Sequence, residues 1–258
     1  MKISLSQQRA VVIGGASGIG RAIAVAFQQA DAEVTVLDRD EAALHQLSLE
    51  VPDLRTLDVD IADYEQLQKA AGDQEIDHLV VAAAIGSGKE AMPFWNMNPS
   101  DWETVVDVTL LGTVRSLHAF TPYLLQGDTN RKSVTLLSSV AGQVGSPTDP
   151  PYSASKAAVI NFAQCAAKDF APYGIRVNTI APGMVRTKLN QSVFEATASG
   201  SGASYDEWAD EKIKRISPLG RWQETSEIGA MSVFLASEHA RNITGQTLNI
   251  DGGQVMHS

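Results

Sequence analysis

Residues 10–13, Ala-Val-Val-Ile, form a wholly apolar run that ends in glycines, the pattern of a strand buried on both faces of a parallel sheet. The period then changes. Across 21–27 the apolar residues recur at helical spacing, a second strand follows at 33–38 and a helix at 40–50, which completes a βαβ unit. The alternation continues with strands at 54–58, 76–83, 133–138, 175–180 and 246–251, and with helices between them, including long ones at 100–125 and 152–173. Two helices open on Ser-x-x-Glu, at Ser100 and Ser204, the spacing of a capping box. Such alternation predicts an α/β fold, a doubly wound parallel sheet with right-handed crossovers. Ligands in that architecture bind outside the carboxyl ends of the strands.

Composition narrows the partner. The 258 residues suit one domain, and no linker, repeat or low-complexity tract divides them; the small-residue patch at 198–203 is too short for anything but a loop. A formal net charge of -10 with no basic run argues against nucleic acid or an anionic membrane, and for a small molecule. The lone Cys165 cannot form an internal disulfide, and neither a membrane-spanning run nor a secretion signal is present, so a cytoplasmic setting is expected.

The chemistry sits in two places. Gly14, Gly18 and Gly20 lie in a turn between the first strand and its helix, where backbone amides and a helix N-terminus can cradle a pyrophosphate. Asp38 follows Gly20 by 18 residues, close to the spacing at which a carboxylate accepts from the adenosine ribose. Its charge favours NAD over NADP. Arg39 is the counter-signal, since a guanidinium can pair with a 2′-phosphate, but Ser17 offers no second cation. Farther on, Tyr152 and Lys156 stand four apart on one helix face. An ammonium beside the phenol would draw its pKa below about 10 and make it a proton-transfer group near neutrality.

With these residues in view, the chain resembles the short-chain dehydrogenase/reductase family over nearly its whole length. The family's Thr-Gly-x-x-x-Gly-x-Gly loop is matched from Ile13 through Gly14, Ser17, Gly18, Ile19 and Gly20, with Ile13 in place of Thr. Asp58-Val59 matches the pair at the adenine ring. Ser139, thirteen residues before Tyr152, matches the catalytic Ser of the Ser-Tyr-Lys set. Pro182-Gly183, Val185 and Thr187 match the segment that grips the nicotinamide carboxamide, and Asp251-Gly252-Gly253 matches the C-terminal signature. Two departures stand out. Val81-Ala82-Ala83-Ala84 replaces the usual Asn-Asn-Ala-Gly, with Ala83 still expected at the cofactor. Thr109 replaces the Asn that helps hold a water behind the catalytic Lys, which predicts a weakened proton relay.

The resemblance implies a Rossmann-type single domain with about seven strands in the order 3-2-1-4-5-6-7, a substrate-covering lid at about 187–218, and a homotetramer. Helices at 100–125 and 152–173 would form its contacts, with Ala157, Ala158, Ala163, Ala166 and Ala167 permitting close packing and the tail from Val255 to Ser258 reaching a neighbour. It also implies NAD-dependent interconversion of a secondary alcohol and a ketone: Tyr152 moves the proton, Ser139 holds the oxygen and Lys156 supports both Tyr152 and the nicotinamide ribose. Ser87, Lys89, Trp95, Gln143, Arg186, Lys188 and Asn190 fall on loops near the expected pocket, and their polarity leans toward a polyol or sugar. Two alternatives stay open, a 3-oxoacyl thioester reductase using NADPH and a catalytically weak dinucleotide-binding sensor. The charged residues around 211–215 read best as an ordinary surface helix.

Overall fold

The computed structural model describes residues 3–72, 75–89, 91–146, 148–186, 191, 193–195, 198, 202 and 204–256. Its strands are β1 (Arg9–Ile13), β2 (Glu33–Asp38), β3 (Arg55–Asp58), β4 (His78–Val81), β5 (Ser133–Leu137), β6 (Arg176–Pro182) and β7 (Thr247–Ile250). They pair in parallel in the order β3-β2-β1-β4-β5-β6-β7. The helices are α1 (Gly18–Gln29), α2 (Glu41–Glu50), α3 (Tyr64–Ala71), α4 (Pro99–Val106), α5 (Gly112–Leu124), α6 (Pro150–Phe170), α7 (Tyr205–Ile216) and α8 (Thr225–Ala236).

The apolar runs read in the sequence are apolar because both faces of the sheet are covered. In β1, Val11 and Ile13 enter a core closed by Leu67 of α3, Phe120 of α5 and Phe170 of α6. Ala10 and Val12 enter the opposite core, closed by Phe27 of α1, Leu47 of α2 and Leu235 of α8. The strand order reverses between β1 and β4, so the crevice expected of this topology opens at their carboxyl ends.

Local details differ from the sequence reading where a neighbouring residue wins. The helix expected at 100 begins at Pro99, whose fixed φ suits a first helical position, and its cap is Asn98, in a reciprocal box with Asp101 rather than through Ser100. The 100–125 helix is not continuous either: Asp107–Leu111 is π-helical and carries Thr109. The box at Ser204 forms with Glu207 as expected. In α6, Ala163, Ala166 and Ala167 of the five alanines lie in this chain's own core, whereas Ala157 is exposed and Ala158 half-buried. His257 and Ser258 of the tail fall outside the described residues. Among the described residues no helix is long and apolar enough to cross a membrane.

At the other end of the sheet, two buried polar groups hold the layers together. Arg176, at the start of β6, donates to the carbonyls of Leu235, Ala236, Ser237 and Ala240, a cation placed at the carboxyl end of α8. His78, at the start of β4, is fully buried with its ring nitrogens engaged by Ser133 Oγ at 2.9 Å and Gln8 Oε1 at 2.6 Å. Burial, then the charges of Arg176, Arg131 and Lys132, push its pKa from 6.5 down to about 3. Between those two values the unfolded chain binds the proton and the folded one does not. Stability from this source is whole above the unfolded value and is lost on acidification, by at most about 1.4 kcal/mol per pH unit. Thermal unfolding between about pH 6 and pH 4 should therefore show a falling Tm. The slope should flatten in His78→Asn, and an unchanged slope would refute this account.

Candidate active site

The turn after β1 is built around its glycines. Gly14 has φ of +76°, and a Cβ there would stand 2.5 Å from the amide nitrogen of Ala83, so only glycine lets this turn pack on the chain leaving β4. A Cβ on Gly20 would overlap the carbonyl oxygen of Gly14. The loop is sewn to β2: Gly14 N donates to Leu37 O at 2.7 Å, and Ala16 N donates to Asp38 Oδ2 at 3.0 Å. Ser17 precedes α1 without using its hydroxyl as a cap, and the first turn of α1 holds no acid, so its amides and positive pole face open space.

That space is a cleft of about 550 Å³. Of the expected cofactor residues, Gly14, Ser17, Gly18, Ile19, Gly20, Asp38, Arg39, Val59, Ala83, Tyr152 and Lys156 line it. Asp58 does not. As the last residue of the edge strand it stays exposed on a separate groove with Gln66 and Lys69, and the chain turns into the cleft one residue later with Val59, Asp60 and Ile61. Asp40 and Asp60, not singled out in the sequence, bring two further carboxylates to the end that holds Asp38. Arg39 faces the same end, its Nη1 3.9 Å from Asp60 Oδ2.

A second cleft of about 430 Å³ adjoins the first, and Ile19, Ser138 and Tyr152 line both. Ser139, Pro182, Gly183 and Val185 line only the second. Asp149 caps α6, accepting from Tyr152 N at 3.4 Å, and also accepts from Ser87 N at 2.8 Å, which ties the loop after β4 to the start of this helix. The turn after Ser139 lies so close to α6 that a Cβ on Gly142 would stand 2.6 Å from the carbonyl carbon of Lys156. Ser138 Oγ donates to Lys156 O at 2.8 Å. Ser139 Oγ accepts from Ala141 N at 3.2 Å and stands near enough to the Tyr152 phenol to lower its pKa.

The electrostatics of the pair reverse the sequence expectation. Desolvation pushes the Tyr152 phenol up to about 12, against the lowering by Ser139 and with a further push from Asp149. Lys156 is pushed down to about 7 by burial, so at neutral pH it is only partly charged beside the phenol. Its ammonium donates to Leu137 O at 2.5 Å and lies 5.7 Å from the centre of the Tyr152 ring.

Several expected positions lie elsewhere. Thr109 is buried and lines neither cleft; its hydroxyl accepts from Ile85 N at 3.4 Å, and its carbonyl accepts from Thr113 Oγ1 at 2.8 Å. Together with Ala82 N, which donates to Ile13 O at 2.8 Å, this holds the alanine-rich turn after β4 where the resemblance led one to expect asparagines. None of the described substrate candidates lines the second cleft. Ser87 offers its amide to Asp149, while Lys89 and Trp95 are exposed. Gln143 is spent on a double hydrogen bond with Asn249, and Arg186 pairs with Asp206 and Asp210 while lying over Trp222. Thr187, Lys188 and Asn190 fall outside the described residues. In their place the cleft is lined by Lys212 and Arg215 of α7 and by Gln254 of the C-terminal turn. The i, i+3 spacing of the two cations was the available signal for them.

A family model described as enoyl-(acyl carrier protein) reductase matches residues 14–255. The 3-oxoacyl-[acyl-carrier-protein] reductase of Thermotoga maritima is 31% identical over 255 residues, covering 95% of this chain and 97% of the relative. A solved 3-oxoacyl-[acyl-carrier protein] reductase from Brucella melitensis with bound NAD superposes with a TM-score of 0.84 at 30% identity, over 98% of this chain and 93% of that one. A gluconate 5-dehydrogenase from Burkholderia cenocepacia, in complex with NADP and tartrate, gives a TM-score of 0.84 at 28% identity, over 98% and 97%.

Proposed function

The chain belongs to the short-chain dehydrogenase/reductase family, and from that premise we propose that it is an NAD-dependent oxidoreductase interconverting a secondary alcohol and a ketone on a small, oxygen-rich substrate. The observation that carries this reading is the place of Tyr152, on the boundary of two clefts, with Ser139 on one side and Lys156 on the other. The cradle of Gly14 and Gly20, too tight for any Cβ, and the open N-terminus of α1 fit a dinucleotide pyrophosphate. Asp38, with Asp40 and Asp60 beside it, favours the free ribose hydroxyls of NAD over a 2′-phosphate.

In this mechanism the nicotinamide, when bound, supplies or accepts the hydride. Everything else falls to the chain. Ser139 orients the substrate oxygen, and Tyr152 gives that oxygen a proton in reduction or takes one in oxidation. Lys156 anchors the cofactor ribose and, while protonated, favours the phenolate. Thr109 acts one layer back, by fixing the backbone after β4 through Ile85. The reading includes a homotetramer, supported by the exposed Leu111 and Ala157, and a cytoplasmic setting.

A second reading, reduction of 3-oxoacyl thioesters, is favoured by the names of the Thermotoga and Brucella relatives. Appearance of NADH or NADPH absorbance over polyols, sugars, hydroxy acids and 3-hydroxyacyl thioesters separates the two. Turnover of the thioesters alone would replace the first reading with the second, and no turnover with either cofactor, despite tight NAD binding, would sink both.

A further inference from the structure

Two cations of α7 face the cleft that holds Ser139 and Tyr152. Lys212 and Arg215, three apart on one helix face, both line it. Among the described residues neither forms an ion pair, in a chain with 30 acidic and 20 basic residues. The acids of α7 are committed or lie outside the cleft: Asp206 and Asp210 pair with Arg186, Glu207 closes the capping box, and Glu211 lines an adjoining groove that Lys212 and Arg215 also reach, without coming within ion-pair distance of either. Among the described residues Asp149 is the one carboxylate lining the cleft, and it is held by the amides of Ser87 and Tyr152.

The Lys212 ammonium is held in place, 4.4 Å from the centre of the Trp208 ring. Burial, then Arg215, push its pKa down to about 8, the mark of a cation confined without a counter-charge. Gln254, whose Oε1 has no hydrogen-bond partner among the described residues, adds an unspent acceptor to the same cleft. A volume of about 430 Å³ suits a small ligand.

Resting on the reading of this cleft as the substrate site, we propose that the substrate carries an anionic oxygen group, a carboxylate or a phosphate, seated at Lys212 and Arg215 while its reacting carbon stands at Tyr152. A hydroxy acid and a phosphopantetheine thioester share that chemistry. Matched pairs distinguish them: a hydroxy acid against its amide, and a 3-oxoacyl thioester of 4′-phosphopantetheine against that of pantetheine. Wild type should prefer the charged member of one pair by about 30-fold in kcat/KM. The double variant Lys212→Gln/Arg215→Gln should bring that ratio close to one, mainly through KM, whereas Lys214→Gln on the far side of α7 should keep it. Calorimetric titration of the NAD-loaded protein with tartrate and with inorganic phosphate reads the same site without turnover. Binding that the double variant loses supports the anion site even if no alcohol reduces NAD, in which case the dehydrogenase reading fails alone. Equal kcat/KM within both pairs, or wild-type and double-variant titrations that coincide, overturn the anion site.

Discussion

Tyr152→Phe is expected to lower kcat by about 10³-fold while leaving the Kd for NAD within about twofold of wild type. Phenylalanine keeps the ring, its packing on α6 and its place beside Lys156, and removes only the hydroxyl that moves the proton. The pH dependence makes the test sharper. A group whose pKa is raised keeps its proton below that value, and desolvation raises Tyr152 to about 12. Burial, with Asp149 nearby, thus leaves the phenol a proton donor throughout the neutral range, suited to carbonyl reduction. Oxidation needs the phenolate, which the positive charge of oxidised NAD favours. Rates of oxidation should therefore climb with pH, and rates of reduction should stay flat, until Tyr152 titrates. Profiles that rise together in both directions, or a Tyr152→Phe enzyme with about a tenth of wild-type kcat, would remove Tyr152 from this role.

What the sequence could and could not foretell divides along physical lines. The strand order follows from βαβ alternation and chain-crossing rules, and the Gly14 to Gly20 loop from the one residue type its backbone tolerates. Tyr152 and Lys156 were legible as a pair because helix geometry fixes their face. Their charge state was not, because burial depends on the whole tertiary environment: it turned a cation expected to acidify the phenol into a group with a pKa of about 7. Loop residues fared worst. Gln143 and Arg186 are polar and lie at the right height in the sequence, but the side chain of each is consumed by a partner more than 15 residues away, which no local pattern records. Lys212 and Arg215 failed in the opposite sense. They read as an ordinary charged surface, and only the docking of α7 over Ser139 brings half-buried Lys212 and exposed Arg215 to the rim of the cleft.

Cofactor choice should respond strongly to Asp38. Among the described residues it places, with Asp40 and Asp60, three carboxylates at one end of the cleft, and the one cation lining that end, Arg39, lies within ion-pair distance of Asp60. A 2′-phosphate brings up to about two further negative charges, and like-charge juxtaposition costs several kcal/mol, so wild type should prefer NAD over NADP by about 10³-fold in kcat/KM. Asp38→Asn is the informative change, since its side-chain oxygen can still accept from the loop amide of Ala16 that Asp38 now holds. It should lower kcat/KM for NAD by about tenfold, through the lost charge-assisted hydrogen bonds to the ribose, and raise that for NADP by about tenfold. Adding Asp60→Asn removes a second charge and releases Arg39, so the double variant should come close to accepting both cofactors. Asp58→Asn serves as the control. Its carboxylate lies outside the cleft, and the KM for NAD should stay within about twofold. If instead Asp58→Asn weakened NAD and Asp38→Asn left the preference between the cofactors untouched, Asp58 would be the carboxylate at the adenosine end and Asp38 only the fastener of the glycine loop.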